Sequence, residues 1–116
     1  MPCVQEFGII QQFDPQYPYD EEYLPEKYGC VAVDDDYIDD WWEGLAGMKV
    51  YFGTLDRPET GLARWGITLI PPESLGILYD VVKGDPLFGE RPDLPPLLRR
   101  IEEAMQDGKW MMHYGV

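Results

Sequence analysis

Between residues 36 and 52 the apolar positions recur at helical spacing. At about 100° per residue, Ile38, Trp41, Leu45, Met48 and Phe52 fall within an arc of about 80°. Asp36, Asp39, Asp40 and Glu43 fall on the opposite side. The pattern predicts an amphipathic helix over 36–52. The preceding run Asp34–Asp36 supplies an N-cap and carboxylates that complement the positive end of the helix dipole. Gly44 and Gly47 each weaken such a helix by about 1 kcal/mol relative to alanine. Val50 and Tyr51 lie off the apolar arc. The alternative is therefore a helix that stops near Gly47, with 49–52 extended.

Two further stretches carry the helical period. Pro71-Pro72 end an apolar run and open a helical turn, and Leu75, Leu78, Val81 and Val82 then form a stripe closed by Gly84. Ser74 stands where a first-turn serine would satisfy free backbone N–H groups. Later, Leu94, Leu97, Leu98, Ile101 and Met105 share one face, Arg99, Arg100, Glu102 and Glu103 the other, and Gly108 stops the helix. Shorter apolar runs read as strands: 3–11, with Gly8 as a bulge, then 28–33, 64–70 and the tail from Lys109. Residues 13–27, 53–63 and 85–93 are rich in turn formers and read as loops. The order β, β, α, β, α, α, β predicts an α+β fold. We expect a single domain spanning 1–116, with a mixed β-sheet of about four strands and about three helices packed on one face.

Composition agrees with many short elements. The chain of 116 residues is 45% hydrophobic, enough for a core, and its 11 prolines and 12 glycines argue against a simple helical bundle. Charge adds an asymmetry that the pattern of elements does not explain. Residues 1–43 hold twelve acids and one base, Lys27, whereas residues 44–116 hold ten acids and eight bases. Such a field repels nucleic acid and anionic membranes and attracts cationic partners. It also serves solubility.

No run approaches the ~20 apolar residues that span a bilayer. The first residues lack a basic region followed by an apolar run, and the expectation is a cytoplasmic chain whose Cys3 and Cys30 stay reduced. Whether these two cysteines meet is open at this point.

Candidate chemistry is sparse. One serine and one histidine, Ser74 and His113, would both be needed for a hydroxyl triad, and no G-x-S-x-G elbow surrounds the serine. Cys30 and His113 both fall on predicted strands and form the other conceivable pair; the apolar neighbourhood of Cys30 favours an inert buried thiol. Two cysteines and one histidine fall short of a structural zinc set. The Asp34–Asp40 cluster lacks the spacing of a calcium loop, and no phosphate-cradling glycine motif occurs. No catalytic residue, metal site or cofactor is assigned.

What stands out is the acidic, aromatic N-terminal part. Tyr17, Tyr19, Tyr23, Tyr28 and Tyr37 alternate with carboxylates, and Trp41 and Trp42 follow. Rigid rings with a polar handle, ringed by acids, suit a surface that binds a basic protein. The expectation is an acidic, non-enzymatic, inhibitor-like binding module; the likeness to immunity proteins is one of charge and size alone. Its partner-binding residues would be Tyr23, Asp36, Asp39, Asp40, Trp42 and Glu43, with no nucleic acid and no membrane as partner. Two alternatives stay open. One is a small enzyme or enzyme subunit using Cys30, His113 or paired carboxylates; the other is a self-associating structural domain. The oligomeric state does not follow from the sequence.

Overall fold

The computed structural model describes residues 3–115. The chain forms six strands: β1 (Val4–Ile10), β2 (Val31–Asp34), β3 (Lys49–Phe52), β4 (Pro58–Thr60), β5 (Ile67–Ile70) and β6 (Trp110–Tyr114). Three helices accompany them: α1 (Asp36–Leu45), α2 (Leu75–Lys83) and α3 (Leu94–Asp107). All six strands join one sheet in the order β2-β1-β6-β5-β3-β4. Every pairing is antiparallel, so the expected mixed sheet of about four strands is corrected to an antiparallel one of six.

The helix expected over 36–52 ends at Leu45. Lys49–Phe52 instead pairs with β4 and β5, which needs the period of a strand. Val50 is buried while Tyr51 faces the other way, which explains why both fell off the helical arc. α2 and α3 stand where the apolar stripes put them, and Gly108 closes α3 in a left-handed conformation. Met105, expected on the apolar face of α3, is exposed. Ser74 does not cap its helix; its hydroxyl donates to the carbonyl of Lys49 at 2.6 Å and ties α2 to β3.

The sheet buries both faces, in two different ways. Under the helices lies an aliphatic core that includes Phe7, Ile9, Ile38, Trp41, Leu45, Val50, Ile70, Leu78, Leu97, Ile101 and Met111. None of α1, α2 and α3 covers the opposite face. There the loop between β1 and β2 folds back over Ile10, Leu69, Met112 and Tyr114, laying Tyr19 and Tyr28 on them. Phe13 stacks on Trp110 with ring centroids 3.8 Å apart, and Tyr19 stacks on Phe13 at 5.5 Å. Gly8 is no bulge, since its register with β6 is unbroken. A side chain there would collide with the backbone of Tyr28 and the sulfur of Cys30, so glycine lets the loop lie close on the strand. Tyr19, expected on an open loop, and Tyr28, expected to begin a strand that in fact starts at Val31, belong to a second core.

Candidate functional site

His113 is the place to begin, because an accessible histidine would carry the enzymatic alternative. It projects from β6 under the helices with 0% exposure, its ring 4.8 Å from Phe7. Gln5 donates from Nε2 to Asp35 Oδ1 at 2.6 Å, which turns its amide oxygen toward His113 Nε2 at 2.5 Å. Nε2 therefore carries the proton, and Nδ1 accepts from the Thr68 hydroxyl at 3.1 Å. The Thr68 oxygen in turn accepts the Ala63 N–H at 2.9 Å. Both ring nitrogens are satisfied and neither meets solvent. Burial pushes the imidazole down to about 3, so the ring is neutral at physiological pH.

Cys30 packs in the tyrosine cluster on the opposite side of the sheet, so the two never form a pair. Burial, followed by the nearby Glu6 charge, pushes its thiol up to about 12. A thiol with so little thiolate is a poor nucleophile. Cys3 is exposed, and neither cysteine is in a disulfide. Among the described residues no three His, Cys, Asp or Glu side chains approach closely enough to hold a metal ion, the Asp34–Asp40 cluster included. No helix among them is long and apolar enough to cross a membrane.

The acids at the start of α1 divide by role. Asp34 accepts the Asp36 N–H at 2.9 Å, while Asp35, the N-cap residue of α1, makes no side-chain capping bond. Asp35 instead binds Gln5 and, at 3.3 Å, Arg64. Arg64 also holds Asp39 at 2.5 Å. Asp40 is held at 2.7 Å by Arg91, whose other nitrogen meets the buried Asp85 at 2.6 Å. The Arg91 guanidinium lies 4.0 Å from the centroid of Tyr37. Asp85 also accepts the Trp41 indole N–H at 2.8 Å and the Leu87 amide at 2.8 Å. Burial works to raise the Asp85 pKa, but these donors outweigh it and hold the carboxyl below its usual value.

Of the six residues expected to contact a partner, Asp36, Asp39, Asp40, Trp42 and Glu43 thus share the exposed side of α1, with Asp39 and Asp40 already engaged by arginines. Trp42 is 46% exposed. Tyr23 lies elsewhere, beyond the turn Tyr19–Glu21 on the sheet's loop side. It is 62% exposed, its ring edge-on to Tyr114 at 4.9 Å and its hydroxyl donating to Glu6 Oε1. That hydrogen bond, then burial, pushes the phenol up to about 12.

Tyr23 lines a cleft of about 510 Å³ whose other walls include Asp20, Glu21, Glu22, Phe52, Arg57 and Trp65. Trp65, 75% exposed, went unnoticed in the sequence because Arg64–Ile70 reads as one continuous strand. The strand starts only at Ile67, and Gly66, at φ +112°, turns the chain before it. Trp65 therefore stands in a loop, between an arginine bound to α1 and a glycine whose carbonyl accepts the Gly115 N–H at 2.6 Å.

Fold and site together define an α+β domain with one antiparallel sheet, sealed on one face by helices and on the other by an aromatic loop. No family model matches the chain, and no curated protein or solved structure shows significant similarity to it.

Proposed function

We propose that this protein is a small acidic binding module that engages a basic protein partner, in a reducing cytoplasmic setting that suits its two free thiols. The observation that carries the reading is the placement of its solvent-facing rings: Tyr23, Trp42 and Trp65 all stand beside carboxylates on the surface. Burying the part of each ring that still faces water is favourable, and Tyr and Trp are favoured at the centre of binding surfaces. On α1 the contacts are Asp36, Trp42 and Glu43, with Asp39 and Asp40 adding charge while held by Arg64 and Arg91. Around the turn they are Tyr23 and its neighbouring acids. The net charge of −13 disfavours nucleic acid as the natural ligand.

The immobilised protein is used as bait in lysate of its source organism, and bound protein is eluted with rising salt. A specific basic protein released at high salt, and not captured by a D20K/E21K/D36K/E43K variant that keeps the wild-type circular dichroism spectrum, supports the reading. Equal capture by that variant, or no capture over a range of conditions, overturns it.

A further inference from the structure

Resting on that reading, we infer that the cleft between Tyr23 and Trp65 receives an arginine side chain of the basic partner. The cleft is built rather than incidental. Its floor is backbone at one end of the sheet, where β3 ends, β5 begins and β6 ends; Gly53, Gly66 and Gly115 line it. A side chain at position 115 would strike the carbonyls of Ala63 and Arg64, so glycine there lets β6 reach under the Trp65 loop. That loop is anchored at three points. Ala63 N–H reaches Thr68, Arg64 is bound by Asp35 and Asp39, and Gly66 accepts from Gly115. A loop held this way loses little backbone freedom when a ligand stacks on its tryptophan.

Charge sets the sign of the occupant. Asp20, Glu21 and Glu22 face one base, Arg57. Glu22 accepts the Tyr17 hydroxyl at 2.6 Å, whereas the Asp20 and Glu21 carboxylates have no hydrogen bond or ion pair among the described residues. These carboxylates do not converge on a point that would hold a metal ion. They line the cleft together with the Trp65 indole. A planar, delocalised guanidinium fits that arrangement better than a compact ammonium. It stacks flat on the indole and directs its N–H groups sideways to carboxylates. Arg91, lying 4.0 Å over Tyr37 while bound to Asp40 and Asp85, shows the same chemistry inside this molecule. Asp35, just before α1, and Asp39 on it then act as positioning residues, because they fix Arg64 and with it the adjacent Trp65.

The probe is the peptide acetyl-Gly-Arg-Gly-Arg-Gly-amide, titrated calorimetrically at low salt beside its lysine analogue of equal charge. The arginine peptide is expected to bind about fivefold tighter or more, the scale of a partly desolvated cation–π contact. Trp65→Ala should weaken it by about tenfold and erase the preference; Trp65 is so exposed that the variant should fold, and circular dichroism checks this. Asp20→Asn with Glu21→Gln should weaken both peptides. Equal binding of the two peptides by the wild type, or undiminished arginine binding in Trp65→Ala, overturns the inference. If the cleft fails this test while the lysate capture remains sensitive to D36K/E43K, the binding module stands without its arginine pocket. If both fail, the underlying reading falls too.

Discussion

Two acidic surfaces of this molecule differ in what their charges are bonded to. Along α1, Asp35, Asp39 and Asp40 are gripped by Arg64 and Arg91, so the negative N-terminal part is stitched to the more balanced second part of the chain. On the turn that walls the cleft, Asp20 and Glu21 have no internal partner among the described residues and stand beside exposed rings. A carboxylate already held by an arginine gains less from a new cation than one facing water, because the old pairing must be given up or shared. The difference teaches that net charge is a poor guide to a binding surface. The helix with the most regular acid stripe is partly a structural clamp, and the irregular turn carries the freer charge.

The clamp breaks most severely at its buried end. Asp85→Ala strands the Trp41 indole and the Arg91 guanidinium together, and should lower the unfolding free energy by about 3–5 kcal/mol in urea denaturation. A loss below about 1 kcal/mol would mean that α1 is not held through this residue.

Acid probes the other end of α1, where Gln5 links Asp35 to His113. The folded pKa of His113, about 3, lies below its unfolded value of about 6.5. Its contribution is therefore fully present above about 6.5 and is lost as pH falls toward about 3. The expected slope is about 1.4 kcal/mol per pH unit, roughly 3 kcal/mol across the two units below pH 6. His113→Gln should remove that slope between pH 6 and 4, as measured by denaturation at each pH. Asp85, also lowered in the folded state, adds a further loss only below the ordinary carboxylate range, as pH falls through its own folded value.

Arg64→Ala removes two solvent-screened ion pairs and should cost far less stability than Asp85→Ala, measured in the same urea denaturation. It should also raise the mobility of Trp65, read as a fall in the anisotropy of the Trp65 emission that is obtained by subtracting the spectrum of the matching Trp65→Phe protein. The smallest effect is expected at the turn. Asp20→Asn with Glu21→Gln should change stability by less than about 0.5 kcal/mol, since neither carboxylate has a partner among the described residues.

The helical period made α2, α3 and the apolar face of α1 legible in the sequence, and the two β-branched runs at β1 and β5 were equally plain. The end of α1 was ambiguous because Met48 and Phe52 happen to continue its stripe; the pairing of β3 with β4 and β5 decided it. Pro58–Thr60 carries no apolar residue to mark it, and only its partner strand makes it β4. The second core lay hidden because loops have no period. Tyr19 and Tyr28 look like any surface tyrosines until Gly8 lets the chain lie down on the sheet. The clamps were invisible for another reason. Arg64 and Arg91 meet Asp39 and Asp40 from 25 and 51 residues away, a distance over which charge pattern carries no geometry.

Backbone and indole NMR shifts of the labelled protein, followed while acetyl-Gly-Arg-Gly-Arg-Gly-amide is added, test the central distinction between the two acidic surfaces. The account predicts that the Trp65 indole and the amides of 20–23 and 64–67 move first and furthest, while the amides of 38–41 on α1 stay nearly still. Leading shifts along α1, with the Trp65 indole unmoved, would contradict it.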